Sequence, residues 1–317
     1  MPLQPANVSV TDPIVPAIDR VKRLLFQPFD LGKWFVIGFC AWLASLGEAS
    51  FHAGFNFGSP GGRRGAGVWF NQAWDFVVQN LSWIVPLALT VGVVILGWWV
   101  LCTWLSSRGR FMFLHCVALD KAEVVEPWNK FARQGNSLFL FRLVLGLVAT
   151  VAALPLFAVA GLLVYRMVQD GGPEPGRVIG LMATILAVVV VSLTFFVISK
   201  LTTDFVVPIM FLRARACRES WGEVLSVLSA NAGRFILYLL FQIVLAIAMG
   251  MIVLGLVLGT CCIAGCVLIL PYLGTVLLLP LLMFQRAYSA FYLAQFGREY
   301  DVFAGPEPMA PATPSVT

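Results

Sequence analysis

An all-helical fold that crosses a membrane six times follows from three observations. The chain is 60% hydrophobic and 12% charged, with a mean hydropathy of +0.89. A soluble domain carries roughly 25% charged residues, so this much apolar surface needs lipid as its solvent. The apolar residues fall in long runs, and a helix needs about 20 such residues, at about 1.5 Å each, to cross a hydrocarbon core about 30 Å thick. The Lys and Arg residues gather at one set of run ends, which orients a membrane protein.

A repeating unit underlies these runs. A basic amphipathic segment leads into a pair of apolar spans, and two copies can be laid over each other. One reads Arg110-Phe111-Met112-Phe113-Leu114, Pro127-Trp128 and Asn136, then turns apolar at Leu138. The other reads Asp204-Phe205-Val206-Val207, Ser220-Trp221 and Asn231, then turns apolar at Phe235. A degenerate third copy opens the chain between Ile14 and Trp34.

Residues 1–13 are polar and Pro-containing and predict a disordered arm rather than a cleavable signal peptide. In the stretch from Ile14 to Phe29, residues Ile14, Ile18, Val21, Leu25 and Phe29 recur at helical spacing, with Asp19, Arg20, Lys22 and Arg23 on other faces. Two readings fit it: a helix lying in the cytoplasmic interface, or a solvated helix packed on the protein. The spans are expected at residues 34–53, 83–105, 138–165, 178–199, 235–256 and 262–284, within one membrane domain of residues 14–304. The first is short, and a re-entrant or tilted helix is its alternative. Residues 54–67 form a Gly-rich loop without the order of a phosphate-binding loop. Residues 68–78 are aromatic and amphipathic, suited to the outer interface. Pro155 predicts a kink in the third span, and Pro208 a break after the fourth. Residues 235–284 would reach about 75 Å as one helix, so they must reverse, near Gly255-Gly259-Thr260. A Pro-rich tail, 305–317, is expected to be disordered.

With six spans, 17 of the 21 Lys and Arg residues fall in inside segments, and Arg63, Arg64, Arg166 and Arg177 in outside loops. Both termini are therefore expected in the cytoplasm. The basic clusters at span ends point to anionic lipid rather than nucleic acid.

Candidate chemistry is sparse. Buried ionisable groups mark ion paths in membranes, but the span centres offer Thr90, Ser192, Thr194, Gln242 and Thr275 and no carboxylate. Arg142 and Asp204 stand near the cytoplasmic ends of spans. They either pair across the repeats or, the preferred reading, snorkel separately. Pro271 and Pro280 bracket a segment that either lines a substrate path or makes tolerated kinks, and kinks are preferred. Cys261, Cys262 and Cys266 resemble a soft-metal cluster loosely, but helix packing explains small residues there as well. His52 and His115 are expected on opposite sides and cannot share a metal. Asp120, Glu123 and Glu126 read as a solvated face. No metal, cofactor or catalytic constellation emerges.

The string from Arg23 to Trp34 (RLLFQPFDLGKW) resembles the opening of an uncharacterised prokaryotic multi-span membrane family. Pro271-Tyr272-Leu273-Gly274-Thr275-Val276, Phe284-Gln285-Arg286 and residues 295–301 (QFGREYD) resemble its close. More distantly, the layout is similar to the membrane domain of some glycerophosphodiester phosphodiesterases, whose catalytic domain this chain lacks. The resemblance implies an all-helical protein of the prokaryotic cytoplasmic membrane and carries over no catalytic residues. The expected function is non-enzymatic, organising or supporting assembly of membrane components, with a membrane protein or a second copy as partner. The alternative is a permease for a lipid or amphiphilic solute.

Overall fold

The structure, a computed structural model, describes residues 8–52, 79–169, 174–260 and 263–304. The Gly-rich loop, the aromatic stretch 68–78, Cys261, Cys262 and the tail 305–317 lie outside the described residues. The elements are α1 (Ile14–Phe26), α2 (Leu31–His52), α3 (Leu81–Leu119), α4 (Val125–Lys130), α5 (Ala132–Gln169) and α6 (Pro175–Leu201). A π-helical turn, Thr202–Val206, follows, then α7 (Val207–Arg213), α8 (Cys217–Ala230) and α9 (Ala232–Gly259). The chain continues through α10 (Ile263–Ile269), α11 (Pro271–Leu277) and α12 (Leu279–Ala294) to a 3-10 turn, Arg298–Tyr300. There is no strand among the described residues.

Four helical stretches are long and apolar enough to cross a membrane: α3, residues 132–167 of α5, α6 through α7, and α9. A fifth arises if α11 and α12, bent by 65°, count together. This is the make-up of a multi-pass helical membrane protein. The expected six are not reached among the described residues, for two reasons. The apolar part of α2, Leu31–Leu46, spans only about 24 Å as a helix. The last expected span breaks into α10, α11 and α12 because Pro271 and Pro280 each open a helix, where a missing N–H breaks no helical bond. Gly259 ends α9 and Thr260 follows it, where the sequence predicts the reversal.

Two helices run further than their apolar patterns. Helix α3 continues past residue 105 to Leu119, and α6 passes Pro208 instead of breaking there. The π turn makes the second possible. The Val207 N–H donates to Thr202 O, five residues back, so Pro208 falls in the first turn of the next helix.

The chain divides into two compact units. The second unit lies within Leu46–Trp104 and Leu140–Ser199. A Cβ on Gly146 would meet the Trp99 ring at 3.1 Å, and one on Gly180 would meet Leu163 at 3.6 Å, so glycines let these helices approach. Span hydroxyls are satisfied within their own helices: Thr90 donates to Pro86 O, Thr150 to Gly146 O, Thr184 to Gly180 O and Thr194 to Val190 O, at 2.8–2.9 Å. In lipid, that removes the cost of an unpaired hydroxyl.

The first unit lies within Met1–Ser45, Leu105–Phe139 and Lys200–Thr317. Here α2 runs antiparallel to the C-terminal part of α3. Ser106 Oγ donates to Ala44 O at 2.7 Å, Cys116 Sγ stands 3.9 Å from Cys40 Sγ, and Lys33 Nζ meets Asp120 at 2.5 Å. Gly109 makes the approach possible, since a Cβ there would stand 2.6 Å from backbone atoms of Leu43 and Ala44. Helix α1 buries Ala17, Val21, Leu24 and Leu25. Its Arg20 guanidinium donates to Val117 O and Ala118 O, satisfying carbonyls that the end of α3 leaves without partners. Burial lowers the Arg20 pKa from its usual value. Residues 8–13, expected to belong to a disordered arm, are instead tied to α12 and its end. Tyr288 donates to Val10 O, and Gln295 exchanges two hydrogen bonds with the Ser9 backbone.

Both copies of the repeating unit show one order of elements. A long helix ends at a residue with left-handed backbone, Asp120 (φ 59°) or Ala214 (φ 51°). A shorter helix bearing Trp128 or Trp221 follows, then one non-helical residue, Phe131 or Asn231, and then a long apolar helix.

Candidate functional site

Four polar side chains, Arg110, Lys200, Tyr238 and Arg286, meet the π turn. A π turn displaces the hydrogen-bond ladder by one residue, so Thr203 O would look to the amide of residue 208, and Pro208 has none. Arg286 Nη1, from α12, donates to that carbonyl at 2.5 Å. Arg110 Nη1, from α3, donates to Thr203 Oγ1 at 2.5 Å. Arg110 and Arg286 are both buried, at 4% and 7% exposure respectively, which a charge tolerates only where hydrogen bonds compensate it.

Asp204 is the next residue. Its Oδ2 lies 3.1 Å from Lys200 Nζ, one helical turn back, and accepts a hydrogen bond from Tyr238 Oη at 2.9 Å. Gln242 Nε2 in turn donates to Tyr238 Oη at 2.8 Å. The Gln242 Oε1 acceptor is buried and meets no donor among the described residues. The rings of Phe205, Tyr288 and Tyr292 stand 4.6–6.0 Å from that of Tyr238 by centroid, and Phe235 packs edge-on against Phe205 at 5.1 Å. The network therefore joins α3, the π turn, α9 and α12 through charge-assisted hydrogen bonds, which are about twice as strong as neutral ones. Its carboxylate is paired with a lysine and accepts a hydrogen bond from a phenol, so this geometry acts as a joint between helices.

Among the sequence candidates, Asp204 and Gln242 come together through Tyr238. Arg142 belongs to the second unit, and Asp204 takes Lys200 and Tyr238 as its partners. Pro271 opens α11. Sequence reasoning missed Arg110, Lys200, Thr203, Tyr238 and Arg286. Two signals point to some of them: Lys200 with Asp204 and Tyr238 with Gln242 are each four residues apart on a helix, the spacing at which side chains meet. Arg110 also stands at the position aligned with Asp204 in the repeat.

No group of three or more His, Cys, Asp or Glu residues among the described residues is placed to hold a metal. His115 is fully buried, between the rings of Phe131 and Phe211. Asp120 pairs with Lys33. Burial pushes the Cys217 thiol, at the start of α8, up to about 12. The thiolate is the reactive form, so Cys217 is expected to resist iodoacetamide at pH 8.5 in the folded protein and to react once SDS unfolds it. Mass spectrometry of the Cys217 peptide checks this, and rapid labelling without SDS contradicts it.

Residues 8–303 match the family of unknown function DUF7544, and the chain belongs to that family. No curated protein matches the chain. No solved structure matches it either. The distant likeness to the membrane domain of glycerophosphodiester phosphodiesterases gains no support from these comparisons.

Proposed function

We propose that the chain is a non-enzymatic integral membrane protein that organises or supports the assembly of other membrane components. One observation carries this reading. None of the residues in the apolar windows of α3, α5 and α6–α7 is buried by the chain itself, and only 6% of those in α9 are. The Asp204 carboxylate is meanwhile held by Lys200 and Tyr238. Such helices offer apolar surface to lipid and to partner helices rather than wrapping a polar path. Association between spans in lipid rests on helix packing and interhelical hydrogen bonds, so a membrane protein or a second copy of the chain is the natural occupant.

The reading includes the prokaryotic cytoplasmic membrane, six crossings and both termini on the cytoplasmic side. Several contacts support that orientation. Arg20 and Lys33 bond to the C-terminal end of α3, which gathers the N-terminal cations with those of residues 105–139. Gln295 bonds to Ser9, which brings the two ends of the described chain together, as an even number of crossings requires. Residues 46–104 and 140–199 hold five of the 21 Lys and Arg residues.

A permease for a lipid or amphiphilic solute is the second reading, favoured by the helix breaks at Pro271 and Pro280. Reconstitution separates the two. Vesicles containing the purified protein and a fluorescent phospholipid are expected to lose dithionite-accessible signal no faster than protein-free vesicles. Acceleration proportional to protein content would overturn the organising role in favour of lipid movement.

A further inference from the structure

Two basic segments about 80 residues apart meet in the first unit. The Phe131 and Phe211 rings stack at 4.8 Å, Gln134 Nε2 donates to Ala214 O at 3.3 Å, and the Cys217 N–H donates to Ser137 Oγ at 3.0 Å. An exposed cation adjoins each of these contacts in sequence: Lys130, Arg133, Arg215 and Arg218. None of the four makes a hydrogen bond or ion pair among the described residues, although Lys130 Nζ stands 5.7 Å from the Phe131 ring centroid. Arg213, two residues from Arg215, is by contrast held by Glu223 at 2.5 Å and Glu299 at 3.2 Å. Two exposed carboxylates, Glu126 and Glu219, share the area, so the six charged side chains sum to +2.

The height of this patch is set by α5. Arg133 stands five residues before Leu138, where the apolar stretch of that helix begins, or about 7.5 Å along its axis. The headgroup layer on each side of the hydrocarbon core is of that order of thickness. Trp128 and Trp221, one from each copy of the repeat, are half-buried nearby in sequence, as aromatic residues are at membrane boundaries.

We propose that this junction binds the headgroup phosphates of anionic phospholipids. A zwitterionic headgroup brings its own ammonium and gains little from a net positive patch. An anionic one brings uncancelled charge, and each basic residue near the membrane surface adds to its attraction. The site depends on α5 crossing the bilayer and not on the organising role, so its failure would leave that role standing.

The test uses the full chain in nanodiscs of phosphatidylcholine with phosphatidylglycerol, reading the lipid retained on release by native mass spectrometry. Phosphatidylglycerol is expected to be enriched over its bulk share in the unaltered protein. In Arg133→Gln/Arg215→Gln, which brings the patch to zero, enrichment is expected to fall at least about fivefold. In Lys22→Gln/Arg23→Gln, which removes equal charge from exposed positions on α1, it is expected to persist. Raising salt to 0.5 M is expected to weaken retention by the unaltered protein, since exposed charges are screened; this reading stands even if a variant fails to fold. Equal enrichment in the Arg133/Arg215 variant, an equal fall in the α1 variant, or indifference to salt would each overturn the proposal.

Discussion

Asp204→Ala is expected to lower the unfolding free energy by about 3 kcal/mol, the low end of the range for removing one partner of a buried pair. The low end applies because the Lys200 side chain keeps 19% of its surface exposed and regains some hydration, while Asp204 keeps only 5%. The rest of the loss falls on Tyr238, whose hydroxyl donates to the carboxylate and is left buried without an acceptor. For a chain of 317 residues the effect corresponds to a fall in Tm of roughly 4–5 °C in detergent. Asp204→Asn keeps an oxygen for Tyr238 and loses the charge facing Lys200, so its expected loss is smaller. An Asp204→Ala protein as stable as the original would show that the network does not join these helices.

Gly109→Ala is the second large effect. Two contributions oppose each other. Alanine favours a helix interior by about 1 kcal/mol over glycine. Against that, the added Cβ would stand 2.6 Å from backbone atoms of Leu43 and Ala44 and 2.8 Å from Leu43 Cβ. Backbone cannot swing aside as a side chain can, so α2 and α3 must separate, and overpacking of this kind costs about 1–3 kcal/mol or more. The clash wins, and a net loss of about 1–2 kcal/mol is expected. Gly97→Ala is the control. It lies on the same helix, and a Cβ there meets nothing within 4 Å, so it is expected to be neutral or slightly stabilising. Thermal unfolding of both variants decides the matter, and equal Tm values would contradict close α2–α3 packing.

The long apolar runs were legible because span length and hydrophobicity are properties of contiguous residues. The end of α9 at Gly259 was legible for the same reason, since fifty apolar residues cannot form one span. What escaped was continuity. Residues 106–119 carry Arg108, Arg110 and His115 and so read as separate from the apolar run before them, yet they complete α3 because its neighbours in the first unit bury them. Pro208 read as a break because a proline normally ends a helical ladder, and the pattern contains no sign of the π turn that accommodates it. The broken end of the chain was half legible: Pro271 and Pro280 predicted kinks, and the structure resolves them into helix starts.

The polar network was legible in its acid and its amide. Asp204 and Gln242 stand out as polar residues in or beside apolar sequence. Their link does not, because Tyr238 reads as one more aromatic among many, and nothing in the local sequence shows that α12 brings Arg286 to the carbonyl orphaned by Pro208.

The organising role is tested most directly by gentle extraction of the protein from its native membrane, followed by mass spectrometry of the intact assembly. A second protein, or a second copy of the chain, retained at fixed stoichiometry is the expected result. It would cover apolar helices that the chain leaves bare. A protein that leaves the membrane alone, holding one specific lipid or solute and no other chain, would contradict the organising role.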